Sequence, residues 1–95
     1  DVVIECSCAN IFWLIDNDWH TADLSTAGVD GLARQRILAT LPDIKIVKAN
    51  IETFDMARSV LLCNSLMGIV PVSQFANKKL AITPVLKIQE IMNNA

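Results

Sequence analysis

A short polar pair, Asn64-Ser65, has the residue types that bind small anions. It lies between two apolar runs, 59–62 and 66–72, that predict buried strands. A polar turn at this place brings a backbone N–H group and two hydrogen-bonding side chains to the rim of a sheet, where small anionic ligands are commonly held. An ordinary β-turn, in which Asn and Ser bond their own backbone, explains the same pattern.

A second stretch with binding chemistry is Ala27–Arg34, where two glycines open a predicted helix. The first N–H groups of a helix have no partner inside it, so those of Leu32 and Ala33 would attract an anion. The alternative is a helix capped by Asp30, with Gly28 in a turn.

The third candidate is Glu5, an acid inside the apolar run Val3-Ile4-Glu5-Cys6. If the side chain faces solvent, it is the polar half of an alternating strand. If it faces inward, its charge needs a cationic or protonated partner, because an unpaired buried carboxylate is very costly. A protonated ring nitrogen of a cofactor would meet that need.

The apolar spacing predicts the elements that position these residues as one mixed α/β unit. In the helix that begins at Gly31 and ends before Pro42, Ala33 and Ile37 share an apolar face and Arg34 lies off it. A final helix is expected with Thr83 as its N-cap and Pro84 at its first position. The remaining predicted elements are strands at 2–8, 10–15, 18–22, 44–47, 59–63 and 66–72, turns at 16–18 and 77–79, and a helical turn at 51–57.

Composition favours a piece of a larger protein. The 95 residues allow one domain, yet 53% are apolar and 19% charged, which is unusually apolar for a free-standing domain of this length. The chain also begins at Asp1, inside a predicted strand, without an initiator methionine. We therefore expect additional protein surface to cover part of it.

Charge, cysteines and hydropathy exclude several classes of function. A net charge of −2 offers no basic surface for nucleic acid. The sequence has three cysteines, an odd number, which disfavours a disulfide framework and favours a reducing, cytoplasmic setting. No apolar run approaches the roughly 18 residues of a membrane span. We predict no metal site, a surface or partly buried ring for His20, and a buried thiol rather than a nucleophile for Cys63.

Three collinear segments carry a resemblance to a known family. The three segments are Ile4-Glu5-Cys6-Ser7-Cys8-Ala9-Asn10-Ile11-Phe12-Trp13, Gly28-Val29-Asp30-Gly31-Leu32-Ala33-Arg34-Gln35 and Cys63-Asn64-Ser65-Leu66-Met67-Gly68-Ile69-Val70-Pro71-Val72. Taken together, they resemble the fold-type IV pyridoxal-phosphate enzymes, a group with branched-chain aminotransferases, D-amino-acid aminotransferases and aminodeoxychorismate lyases. The resemblance covers about residues 3–72. Within the group, the Phe12-Trp13 pair and the Cys63-to-Met67 turn are most similar to aminodeoxychorismate lyase.

The resemblance implies a fold, a cofactor and residue roles. The fold would be the C-terminal, cofactor-binding domain of the D-amino-acid aminotransferase-like fold, a mixed sheet or pseudo-barrel with flanking helices, here as one partial domain over 1–95. Glu5 would hydrogen-bond the pyridine nitrogen of pyridoxal 5'-phosphate. The N–H groups of Leu32 and Ala33 would hold the phosphate, with Asn64 and Ser65 as a second contact. The lysine that forms the Schiff base in this family would lie upstream, outside this sequence.

By the same resemblance, the intact protein would convert the small molecule 4-amino-4-deoxychorismate to 4-aminobenzoate and pyruvate, a step of folate biosynthesis. It would be a homodimer that includes the missing N-terminal half, and this segment alone would be inactive. Two alternatives remain: an aminotransferase of the same fold, and a non-catalytic interaction domain on the same scaffold.

Overall fold

The computed structural model describes residues 10–23, 31–48, 55–64, 68–75 and 77–94, and its centre is a five-stranded mixed sheet. The strand order is β3-β2-β1-β4-β5, and all neighbours are antiparallel except the parallel pair β2 and β3. The elements are β1 (Asn10–Ile15), β2 (Asp18–Ala22), α1 (Leu32–Thr40), β3 (Lys45–Val47), β4 (Ser59–Asn64), β5 (Gly68–Val72), β6 (Gln74–Phe75), β7 (Lys78–Lys79) and α2 (Thr83–Asn93).

The central strand β1 is apolar along its length because both of its faces are covered. Phe12 and Leu61 pack with Ile37 of α1 and with the buried face of α2. On the other face, Trp13 and Val60 pack with segments that precede β4 and follow β7. A strand buried on two sides carries a continuous apolar run rather than an alternating one, which is why residues 11–14 are all buried.

Two hairpins set the register of the sheet. Asp16 and Asn17 form a two-residue loop between β1 and β2, and Asp16 has a φ of 55°, a left-handed conformation that short polar residues tolerate. Gly68 begins β5 opposite Asn64 with a φ of 75°, which favours glycine. The first hairpin, α1 and the pairing of β4 with β5 agree with the sequence-based prediction, but Asn64 belongs to β4 and not to the turn that follows it.

The structure differs from the sequence-based prediction at three points. Arg34 is only 6% exposed, because its Nη2 donates a hydrogen bond to the Ala22 carbonyl at 3.0 Å. Lys78 and Lys79 form strand β7, which pairs with β6. Of the turn predicted at 77–79, only Asn77 is a turn residue. The N-cap of α2 is Ile82, so Thr83 is the first helical residue.

Several predicted segments lie outside the described residues. These are the strand at 2–8 with Glu5, the segment with Gly28 and Asp30, the first part of the helical turn at 51–57, and Ser65 after β4. In the described ranges no helix is long and apolar enough to cross a membrane.

Candidate functional site

An open cleft of about 590 Å³ lies between α1, the β4–β5 hairpin and the C-terminal half of α2. Leu32, Ala33 and Asn64, three of the five residues predicted to bind a cofactor, line this one cleft. The complete described lining is Leu32, Ala33, Arg36, Ile37, Asn64, Gly68, Ile69, Gln89, Met92 and Asn93.

The first turn of α1 offers backbone donors at the cleft. Gly31 is the N-cap residue; it has no side chain, and no side-chain hydrogen bond caps the helix. No acidic residue lies in the first turn. The first N–H groups of a helix lack intrahelical acceptors and carry a partial positive charge, so this end of α1 suits an anion.

Asn64 lines the same cleft from the end of β4. It is the last residue of β4, it pairs with Gly68 across the hairpin, and its side chain is half-buried. Gln89 fixes the neighbouring wall, because its Nε2 donates a hydrogen bond to the Ile69 carbonyl at 2.6 Å and so ties α2 to β5. The amide at the strand end is therefore held on a braced hairpin.

The charge of the cleft favours an anionic ligand. Arg36 is the one charged residue in the described lining, and that lining contains no carboxylate. Sequence reasoning missed Arg36, Gln89 and Asn93. The sequence does contain a signal for Arg36. Residues four apart share one face of a helix, and Arg36 follows Leu32 by four residues, so it is expected near the same ligand. Gln89 and Asn93 had no such signal, since α2 reaches the cleft only through tertiary packing.

Cys63, beside Asn64, is buried, as predicted. Burial raises the pKa of its thiol from the ordinary value of 9.0 to about 11, against smaller opposing effects of the Arg34 charge and the Asn10 backbone N–H. At neutral pH the group is a neutral thiol, and the thiolate is the nucleophilic form. Cys63 therefore has a packing role in the buried cluster beside the site.

We expect alkylation of Cys63 by iodoacetamide at pH 8 to be at least about 100-fold slower in the folded protein than in urea, because a shift of two pKa units removes about that much thiolate. Peptide mass spectrometry would assign the label to this cysteine. Equal rates in the two conditions would contradict a buried, neutral thiol.

His20 is partly buried, as predicted, and its ring stacks on Trp13, with the ring centroids 6.1 Å apart and the planes 14° apart. Trp13 itself is completely buried. Among the described residues no group of three or more His, Cys, Asp or Glu side chains could hold a metal ion. His20 is therefore best explained by packing.

Comparison with known proteins relates this chain to one enzyme family. The profile of the class IV amino-transferases matches residues 1–75. A curated relative, the aminodeoxychorismate lyase of Vibrio harveyi, is 35% identical over 75 residues, which cover 75% of this chain and 28% of that protein.

Solved structures give the same fold. The 4-amino-4-deoxychorismate lyase of Pseudomonas aeruginosa matches with a TM-score of 0.83 and 24% identity, covering 90% of this chain and 34% of that one. An aminotransferase from Brucella abortus, solved with bound PLP, matches with a TM-score of 0.85 and 18% identity, covering 92% and 33%. The predicted fold class is confirmed, and the chain spans about a third of the length of these relatives.

Proposed function

This chain belongs to the class IV amino-transferase family, and on that premise we propose that it forms the phosphate-binding part of a pyridoxal-phosphate enzyme. The observation that carries the proposal is the meeting of Leu32, Ala33 and Asn64 on one cleft. Asn64 is far from Leu32 and Ala33 in the sequence, and the family resemblance assigns all three residues to the cofactor phosphate.

The cleft suits a phosphate group. Its volume of about 590 Å³ lies within the range of roughly 300 to 1,000 Å³ typical of small-molecule sites. It combines an uncapped helix N-terminus, a half-buried amide and an arginine, without a carboxylate in the described lining. Backbone donors at a helix start are a common phosphate site in proteins.

We assign the residue roles as follows. The N–H groups of Leu32 and Ala33 donate to phosphate oxygens, and the amide of Asn64 donates from the end of β4, with Ser65 beside it. Glu5 accepts a hydrogen bond from the pyridine nitrogen and holds the proton there. When bound, the cofactor supplies an electron sink for a carbanion at the substrate.

A lysine from elsewhere in the protein completes the site in this proposal. None of the five lysines in the sequence is among the cleft-lining residues. Lys45 forms an exposed salt bridge with Asp18 at 3.1 Å, and Lys78 bonds the Asp55 carbonyl. We therefore propose that an N-terminal half of the protein contributes the catalytic lysine, and that the 95 residues alone are inactive.

Apolar side chains on the surface support additional protein contacts. Met56 is 68% exposed, Leu32 is 66% exposed and Ile46, on the edge strand β3, is 54% exposed. We propose that the remainder of the protein and a second copy of it, as a homodimer, cover part of this surface. The proposed location is the cytoplasm, with 1–95 as part of a C-terminal domain.

For the reaction, we propose conversion of 4-amino-4-deoxychorismate to 4-aminobenzoate and pyruvate, which serves folate synthesis. The support is the 35% identity to the Vibrio harveyi lyase. An aminotransferase acting on branched-chain or D-amino acids is the second candidate, because the fold matches an aminotransferase as closely as a lyase. A non-catalytic scaffold is the third.

Product analysis of the full-length protein separates these candidates. We expect equal amounts of 4-aminobenzoate and pyruvate from 4-amino-4-deoxychorismate in the presence of PLP, with no requirement for a 2-oxo acid. Turnover that depends on a 2-oxo acid and yields a new amino acid would identify an aminotransferase. Binding of PLP without either product would favour the scaffold, and failure to bind PLP would contradict the cofactor assignment.

A further inference from the structure

Asn10 bonds to the N-cap of α1 and pairs with β4, two elements that line the cleft. Its side-chain Oδ1 accepts a hydrogen bond from the Gly31 N–H group at 3.2 Å, across 21 residues of sequence. Its backbone pairs with Cys63 in the sheet, immediately before Asn64. One residue at the start of β1 is therefore tied both to the N-cap of α1 and to the end of β4.

Gly31 is matched to this contact. A Cβ atom at Gly31 would lie 2.9 Å from Asn10 Oδ1, closer than such atoms approach in proteins. The backbone of Gly31 has φ −68° and ψ 159°, an extended conformation that any residue adopts. A side chain at Gly31 would therefore meet no backbone strain, but it would displace the Asn10 side chain from its present position.

The hydrogen bond between Asn10 and Gly31 affects the direction of the backbone N–H groups in the first turn of α1. With its N–H bonded to Asn10, Gly31 is fixed as the residue from which the helix begins, and the next two N–H groups belong to Leu32 and Ala33. A shift of about 1 Å in a positioned group is enough to weaken a site substantially. A separate bond from Arg34 Nη2 to the Ala22 carbonyl holds α1 on the sheet when Asn10 is changed.

We propose that Asn10 is a positioning residue that aims the N-terminus of α1 at the cofactor phosphate, an inference that rests on the proposed function. It touches neither cofactor nor substrate in this role. It holds Gly31 through its side chain and Cys63 through its backbone, so that the donors of Leu32 and the amide of Asn64 keep a fixed separation.

The test uses the full-length protein and two ligands, PLP and pyridoxal, which lacks the phosphate. Equilibrium dialysis gives the dissociation constant of each ligand for wild type, Asn10→Ala, Gly31→Ala and the double variant. We expect each single change to raise the dissociation constant of PLP about tenfold, the equivalent of one lost hydrogen bond. The dissociation constant of pyridoxal should stay unchanged. Because Gly31→Ala has room once Asn10 is truncated, the double variant should bind PLP as Asn10→Ala does.

Each other outcome overturns a specific statement. Equal weakening of PLP and pyridoxal would show that Asn10 supports the fold in general, and unchanged PLP binding would show that it has no positioning role. Additive effects of the two changes would contradict the matched contact. If Asn10→Ala does not fold, Gly31→Ala still tests the inference, since it removes no group. A wild-type protein that binds neither ligand would overturn the proposed function and the positioning role with it.

Discussion

Truncation of Phe12 to alanine is expected to lower the free energy of unfolding by about 3 to 5 kcal/mol, the usual cost of removing a buried aromatic ring. Phe12 is 1% exposed at the centre of the sheet, where it packs in one cluster with Ile37 of α1 and Val85 of α2. Its loss leaves a cavity beneath both helices. Such a cost is a large part of the roughly 5 to 15 kcal/mol by which domains are stable.

Urea unfolding of the full-length protein, followed by circular dichroism, measures this effect. Leu86→Ala is the matched control, because Leu86 is an apolar residue of α2 that is 46% exposed and lies outside the buried clusters. We expect the control to change the unfolding free energy by less than about 0.5 kcal/mol. Similar losses in the two variants would contradict a core centred on Phe12.

The strands and hairpins could be predicted from sequence because their signals are local. The polar loop at Asp16 and Asn17 between apolar runs fixes the first hairpin, and the run 59–62 followed by Gly68 fixes the second. Pro42 limits α1 in the same way. In each case the residues that decide the structure are neighbours in the chain.

Contacts between distant segments could not be predicted in this way. Arg34 is buried because its guanidinium donates a hydrogen bond to the carbonyl of Ala22, twelve residues earlier. The apolar spacing of the helix does not indicate that partner. The bond from Asn10 to Gly31 is a similar case. Lys78 and Lys79 have the composition of a turn, but backbone pairing with β6 makes them a strand. The conformation or burial of each of these residues depends on a tertiary partner.

The predicted site residues fall into two groups. Leu32, Ala33 and Asn64 share the cleft, because the sheet places the end of β4 close to the start of α1. Glu5 and Ser65 lie outside the described residues, so their roles stay predictions. The prediction reached the cleft because the resemblance assigned three separate segments to one ligand, which local patterns alone could not do.

The largest effect on ligand binding is expected from Asn64→Asp, which changes one side-chain group from a neutral amide to a carboxylate. In the described residues the cleft has no acidic side chain, so the substitution introduces the first negative charge next to the proposed phosphate. Two unit charges about 4 Å apart interact by about 4 kcal/mol at an effective dielectric constant of about 20. Allowing for screening by solvent, we expect the dissociation constant of PLP to rise about 100-fold or more, the equivalent of about 2.7 kcal/mol.

Asn93→Asp is the matched control, because Asn93 also lines the cleft but belongs to the last turn of α2. If the phosphate lies between the start of α1 and the end of β4, the same change of charge at Asn93 should weaken PLP binding much less than at Asn64. Dialysis at low and high salt adds a second check, since a charge effect shrinks as ionic strength rises. Equal effects at the two positions would place the phosphate elsewhere in the cleft, and a salt-independent loss would mean that Asn64 supports the hairpin rather than the ligand.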